Sequence, residues 1–264
     1  MRPWILTLAI TLSNTYAHAK IKNVVFDLHG VLLTIDKQAA ASNVSKTSAI
    51  CMMLYNMRIP NHGDVFDLLK DVPAVSKDHA YTCNMRMPQI LVDWQTGAQS
   101  NFKILHATRT QLAKENLYDF QKEFALSVVG GLMNPELLEE AVSVIPESGR
   151  LLEELKAKGN FNLYVLSNWD KVSFPRIEEK LKSLFDNFDG QVISGYVGML
   201  KPNRDIFDFL LFRYGLDASE TLFIDDELAN VIAANTLGIQ TVHFQGPQAY
   251  DEIWGLLGEK PRLR

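Results

Sequence analysis

Residues 149–170, GRLLEELKAKGNFNLYVLSNWD, spell one helix and one strand in succession. Within 149–159, leucines stand at 151, 152 and 155, acids come early, lysines come late, and a glycine stops the run. That charge order suits the helix dipole. FNLYVLS, residues 161–167, is an apolar run of strand length and predicts a buried strand. The same alternation continues outward. KVSFPRIEEKLKSLF (171–185) predicts a helix after its proline, and QVISG (191–195) a short strand. NRDIFDFLLFRYG (203–215) is amphipathic, with Asn203 as its cap and Gly215 as its stop. TLFID (221–225) predicts a strand, ELANVIAANTLG (227–238) a helix, QTVHF (240–244) a last strand, and YDEIWGLL a closing helix. KNVVFD (22–27) belongs with the strands by composition. The fold class that follows is α/β, a Rossmann-like parallel sheet with helices on both faces.

Between residues 37 and 145 the rhythm changes to helical patterns with no convincing strand. The expected organisation is therefore an α/β core domain from residues 20–36 and 146–264, with a helical cap domain, 37–145, inserted into it. In that insertion Trp94 reads as core packing, and His62 and His106 read as structural. The methionines of MMLYNM and NMRMP read as packing between cap helices, since Met fills irregular gaps.

The chain has 264 residues, 47% hydrophobic and 22% charged, with a formal net charge of −5. This is ordinary globular composition, and no block of Lys and Arg provides a nucleic-acid or anionic-membrane footprint. Residues 1–19 begin with Met1 and Arg2, run apolar from Trp4 to Leu12, and end Ala17-His18-Ala19. That is the layout of a signal peptide, with an apolar run too short to span a bilayer. The expectation is an exported protein, periplasmic or secreted, free of stable membrane association once cleaved. Without cleavage it would be cytoplasmic. Cys51 and Cys83 read equally as a disulfide or as two buried thiols, and no spacing suggests zinc.

Open parallel sheets place their ligand sites beyond the carboxyl ends of the strands. Read there, the strands deliver Asp27, then Ser167 and Asn168, then Lys201 from the following loop, and finally Asp225 and Asp226. Three carboxylates, a hydroxyl and a lysine thus converge on one rim.

In order, FDLHGVL, LSN, LKP and FIDDELAN resemble the four motifs of the haloacid dehalogenase-like superfamily, over residues 21 to 244. The insertion after the first motif is similar to the helical cap of its small-metabolite phosphatase branch. The resemblance implies a Mg²⁺-dependent phosphomonoester hydrolase that acts on a small phosphorylated metabolite through an aspartyl-phosphate on Asp27. It implies Asp226 as a direct metal ligand, Asp225 as a less direct one, and Asn230 as an orienting group. It also implies that His29 offers its backbone carbonyl to the metal. Lys201 would screen charge, while Ser167 and the backbone N–H groups of Leu28 and Asn168 would hold the phosphoryl oxygens. Gly30 fits the chain reversal after the nucleophile, in a flap beneath the cap. The chemistry is sound in its own terms. An anionic carboxylate approaches an anionic phosphate only if a hard cation and a lysine neutralise both.

His29 departs from the superfamily pattern, which places an aspartate two residues beyond the nucleophile. Three readings stand. The imidazole is the general acid/base, since it exchanges protons near neutral pH; only the backbone carbonyl matters; or the site binds phosphate without turnover. The departure also raises a metal-independent 2-haloacid dehalogenase, which needs no proton donor for halide, and a mutase. Asp225 and Asp226 side by side favour a bound metal, because adjacent carboxylates repel without one.

Overall fold

The computed structural model describes residues 19–36, 89–114, 116 and 118–260. Five strands, β1 (Asn23–Phe26), β4 (Asn162–Ser167), β5 (Gly190–Ile193), β6 (Thr221–Asp225) and β7 (Gln240–His243), form one parallel sheet. Its order is β5-β4-β1-β6-β7, with β1 at the centre paired in register to β4 and β6. Because successive side chains of a strand face opposite ways, β1 supplies Val24 and Phe26 to one layer and Val25 to the other. The first layer packs under α5 (Pro146–Lys158), α6 (Phe174–Lys180), α7 (Lys182–Phe185) and α11 (Gln248–Leu257). The second packs under α9 (Arg204–Tyr214) and α10 (Leu228–Asn235), through Ile206, Phe207, Leu210 and Ala234. The sheet is therefore covered on both faces, as the alternation predicts.

The strand predicted over 221–225 and the helix stops at Gly159 and Gly215, both left-handed, appear in place. Asn203 occupies the cap position of α9, but its side chain makes no capping hydrogen bond. The strand predicted over 191–195 ends at Ile193, where Ser194 opens the single-turn α8 (Ser194–Val197). The predicted helix over 171–185 divides into α6 and α7.

The expectation of no strand between 37 and 145 is corrected. β3 (Val142–Val144) pairs antiparallel with β2 (Leu33–Ile35), in the register Leu33↔Val144. Three residues are too few for a period, and what makes them a strand is a partner far away in sequence. The described remainder of the insertion is helical: α1 (Gln89–Gln95), α2 (Asn101–Leu112), α3 (Asp119–Leu132) and α4 (Pro135–Ala141). Trp94 packs there against Ile90, Leu91, Ile104, Val129 and Met133, and exposed His106 stacks on Phe102. Residues 1–18 of the signal-peptide segment, Cys51, Cys83, His62 and the MMLYNM and NMRMP stretches lie outside the described residues. No described helix is long and apolar enough to cross a membrane.

Candidate active site

Asp27 is the first residue beyond β1, held there by its N–H donating to Ile224 O at 2.9 Å. Behind it the chain reverses at once. The N–H groups of Leu32 and Leu33 return to Leu28 O at 2.9 and 2.7 Å, and Gly30 N–H donates to Leu33 O at 2.8 Å. Gly30 has φ +80°, and a Cβ there would stand 2.1 Å from Asp226 Oδ2. Only glycine lets this turn lie against the Asp226 carboxylate. Its N–H is spent within the turn, so Gly30 supplies space rather than a donor to a phosphoryl oxygen.

Lys201 reaches the same point from the loop after α8. Asn168, just past β4, clamps its backbone in both directions: Lys201 N–H donates to Asn168 Oδ1 and Asn168 Nδ2 donates to Lys201 O, each at 2.9 Å. The Lys201 side chain is buried, and its Nζ donates to Asp225 Oδ2 at 2.6 Å. The same ammonium lies 2.9 Å from Asp27 Oδ1. That is a charge contact off the hydrogen-bonding direction, and Asp27 Oδ1 is buried with no hydrogen-bond donor among the described residues.

The two acids of the fourth motif are placed differently. Asp225, fully buried, is saturated by protein: Glu227 N–H donates to Oδ1 at 2.8 Å, Asn230 Nδ2 reaches both oxygens at 3.0 and 3.2 Å, and Lys201 takes Oδ2. Asp226 is half-buried and lies beside Gly30, its backbone oxygen 2.9 Å from His243 Nε2. His243, paired in register with Asp225 across β6 and β7, was not singled out by sequence reasoning. Its place at the carboxyl end of the last strand was the available signal.

Asp27, Asp225 and Asp226 each offer an oxygen, all within 4.8 Å of one another. Burial and the neighbouring charges show in the acidities of Asp27 and Asp226. Burial pushes Asp27 up, Lys201 opposes this, and Asp225 adds to it. Burial, then the charges of Asp27, Asp225 and Glu227, push Asp226 up to about 7. Burial would lower the Lys201 ammonium, but Asp225 and Asp27 outweigh it and hold it above its ordinary value. The donor set fits a hard divalent cation: an orphaned buried carboxylate oxygen on Asp27, a destabilised carboxylate on Asp226, and all-oxygen chemistry. Asp225 already has its protein donors, which suits the less direct part.

Ser167 is buried at the end of β4, its hydroxyl beside Asp27, where it helps to favour the charged carboxylate. No acceptor among the described residues takes the N–H of Leu28 or Asn168, so both remain available to an anion. His29 is exposed, and its ring makes no hydrogen bond among the described residues. The structure thus brings Asp27, Ser167, Asn168, Lys201, Asp225, Asp226 and Asn230 together. His29 is exposed rather than part of the buried cluster.

The family model described as haloacid dehalogenase-like hydrolase matches residues 21–238. A sesquiterpene phosphatase of Aspergillus oryzae is 37% identical over 93 residues, 35% of this chain and 46% of that protein. The D-ribitol-5-phosphate phosphatase of Bacteroides thetaiotaomicron is 32% identical over 92 residues, 33% of this chain and 45% of its own. Each of these matches spans about half the length of the relative. A HAD family enzyme of B. thetaiotaomicron, solved with magnesium and inorganic phosphate, shares the fold with a TM-score of 0.57 at 20% identity, over 89% of this chain and 99% of that one.

Proposed function

The chain belongs to the haloacid dehalogenase-like hydrolases, and from that premise we propose that it is a Mg²⁺-dependent phosphatase of small phosphomonoesters, working through an aspartyl-phosphate on Asp27. The observation that carries this reading is the buried Asp27 carboxylate with Lys201 at 2.9 Å and two further acids close by. Relatives named as phosphatases support it. A metal-independent dehalogenase has no use for such a crowd of carboxylates.

Asp27 and Asp226 would hold Mg²⁺, with Asp225 behind them and the His29 carbonyl, which accepts no backbone hydrogen bond among the described residues, within the same turn. When bound, the ion neutralises the repulsion between nucleophile and phosphate. An Asp27 oxygen attacks phosphorus, and the bond to the ester oxygen breaks. Lys201, the Ser167 hydroxyl and the N–H groups of Leu28 and Asn168 hold the phosphoryl oxygens as their charge redistributes. The leaving oxygen takes a proton from His29, whose imidazole is exposed two residues beyond Asp27. Neutral His29 then takes a proton from water, which attacks phosphorus, frees inorganic phosphate and restores Asp27.

The direct test is phosphate release from a panel of phosphomonoesters with Mg²⁺ and with chelator. Release that depends on Mg²⁺ is expected, and full activity in chelator would overturn the reading.

His29→Ala separates the roles of that residue. Loss of a proton donor matters for poor leaving groups, so alkyl phosphate turnover is expected to fall about 10²-fold and aryl phosphate turnover far less. Equal rates for the variant and the native enzyme on alkyl phosphates would reduce His29 to its backbone.

Mg²⁺ binding carries a pH signature. In the metal-free protein Asp226 titrates at about 7, so below that pH Mg²⁺ must displace its proton. Apparent affinity is expected to fall by up to about tenfold per pH unit below 7. Calorimetry in buffers of different ionisation heat should show proton release near pH 6 and little near pH 8, each pH set about one unit from the Asp226 value. The linkage has a matching sign. The fold binds this proton more tightly than the unfolded chain, so the metal-free protein is favoured at low pH and loses that contribution as pH rises toward 7.

A further inference from the structure

Ser194 opens α8 with its side chain fully buried. The Trp169 N–H donates to its Oγ at 2.9 Å, fixing the loop that carries Ser167 and Asn168. The hydroxyl has one proton to give, and two acceptors lie near it. Gln95 O, at the end of α1 in the inserted segment, is 2.7 Å away, and Trp169 O is 3.2 Å away. The shorter contact is the one across the two parts of the chain. Around this hydroxyl the segment is tightly seated. Lys171 Nζ donates to Gly97 O at 2.9 Å, and a Cβ on Gly97 would stand 2.8 Å from Gly195 O. On the core side there is no slack either, since a Cβ on Gly195 would stand 2.4 Å from Lys171 N.

We propose that Ser194 is a positioning residue that ties the seating of the inserted segment to the loop presenting Ser167 and Asn168. The phosphate-binding consequence of this tie rests on the phosphatase reading above. With the segment seated, the hydroxyl proton goes to Gln95 O and its lone pair holds Trp169 N–H. With the segment lifted, the proton turns to Trp169 O, so the buried hydroxyl keeps a partner and the loop is held differently. One side chain thereby reports the state of the insertion to the residue next to Asn168, which in turn clamps Lys201.

The test is hydrogen–deuterium exchange on the full chain with Mg²⁺, read in peptides covering 93–99 and 166–172, for Ser194→Ala, Gly97→Ala and the double variant. Gly97 has φ +69°, so alanine there strains the backbone and meets Gly195 O at 2.8 Å and the Lys171 side chain at 2.9 Å; because Lys171 lies within 166–172, the double variant is what separates the tie from that direct contact. Ser194→Ala is expected to speed exchange in both peptides by about fivefold or more, the loss of a buried hydrogen bond on each side. Gly97→Ala is expected to speed exchange in 166–172 as well as in its own peptide, and to add nothing to 166–172 once Ser194 is alanine. Should Ser194→Ala not fold, Ser194→Cys, which keeps the side chain's place but weakens both hydrogen bonds, takes its place in the cycle with Gly97→Ala. Acceleration confined to 93–99 overturns the proposal, as does a Ser194→Ala effect in only one peptide. In parallel, Ser194→Ala is expected to lower kcat/KM for a phosphomonoester about tenfold, with kcat carrying part of the loss, because the groups it positions hold the phosphoryl oxygens as their charge redistributes; an unchanged kcat/KM overturns this consequence of the tie. Failure of the phosphatase reading appears separately, as no phosphate release from the unaltered protein, and leaves the exchange result to judge the tie.

Discussion

Asp27→Asn is expected to lower phosphate release by at least about 10³-fold while leaving the melting temperature nearly unchanged. The amide keeps the volume and planar shape of the carboxylate but is no nucleophile, so no phosphoryl bond to residue 27 forms. The fold should tolerate the change for an electrostatic reason. Burial pushes the Asp27 carboxyl up, so its charge is a burden on the native state, and Lys201 keeps its shorter contact to Asp225. Mg²⁺ binding should weaken without vanishing, because Asp226 remains. Rapid-quench trapping of the acyl-phosphate with the unaltered protein, and its absence in the variant, checks the assignment. A variant that retained a tenth of native turnover would remove Asp27 as nucleophile.

The legible parts of the fold were those governed by local rules. TLFID was readable to the residue because all five positions of β6 are buried, as a central parallel strand requires. Gly159 and Gly215 were readable because a helix stop in the left-handed region favours glycine. The β2–β3 ribbon was not, since Val142–Val144 becomes a strand only through Leu33–Ile35. The rim residues could be found by reading strand ends, but their division of labour could not. Asp225 and Asp226 are adjacent and chemically identical. Only the positions of Lys201, Asn230 and the Glu227 N–H show that Asp225 is turned into the protein, while Asp226 is half-buried beside Gly30. His243 and Ser194 escaped because each acts through a backbone group of a distant loop. For His29 the residue type raised the question, and the structure adds that the residue is exposed beside a buried cluster.

Lys201→Met should damage both activity and stability, and the two losses can be told apart by pH. Methionine matches the unbranched stem, and what disappears is the charge 2.9 Å from Asp27, 2.6 Å from Asp225 and 5.4 Å above the Phe223 ring. Removing one partner from a buried ion pair leaves an uncompensated charge and costs about 3–5 kcal/mol. Asp225 retains Asn230 and the Glu227 N–H, whereas Asp27 keeps the Ser167 hydroxyl and no charged partner. Asp27 therefore becomes still harder to ionise in the folded protein. A carboxyl with a raised folded pKa penalises the fold above that pKa and not below the unfolded value. The melting-temperature deficit of the variant is thus expected to be smaller in acid and to widen as pH rises. Saturating Mg²⁺ should narrow it again by replacing the lost positive charge. Turnover should fall by roughly 10²–10³-fold even where the variant is fully folded, because the phosphoryl oxygens lose their buried cation. A deficit independent of both pH and Mg²⁺ would mean that Lys201 matters to the fold through packing alone, and would remove it from the charge balance on which the phosphatase reading depends.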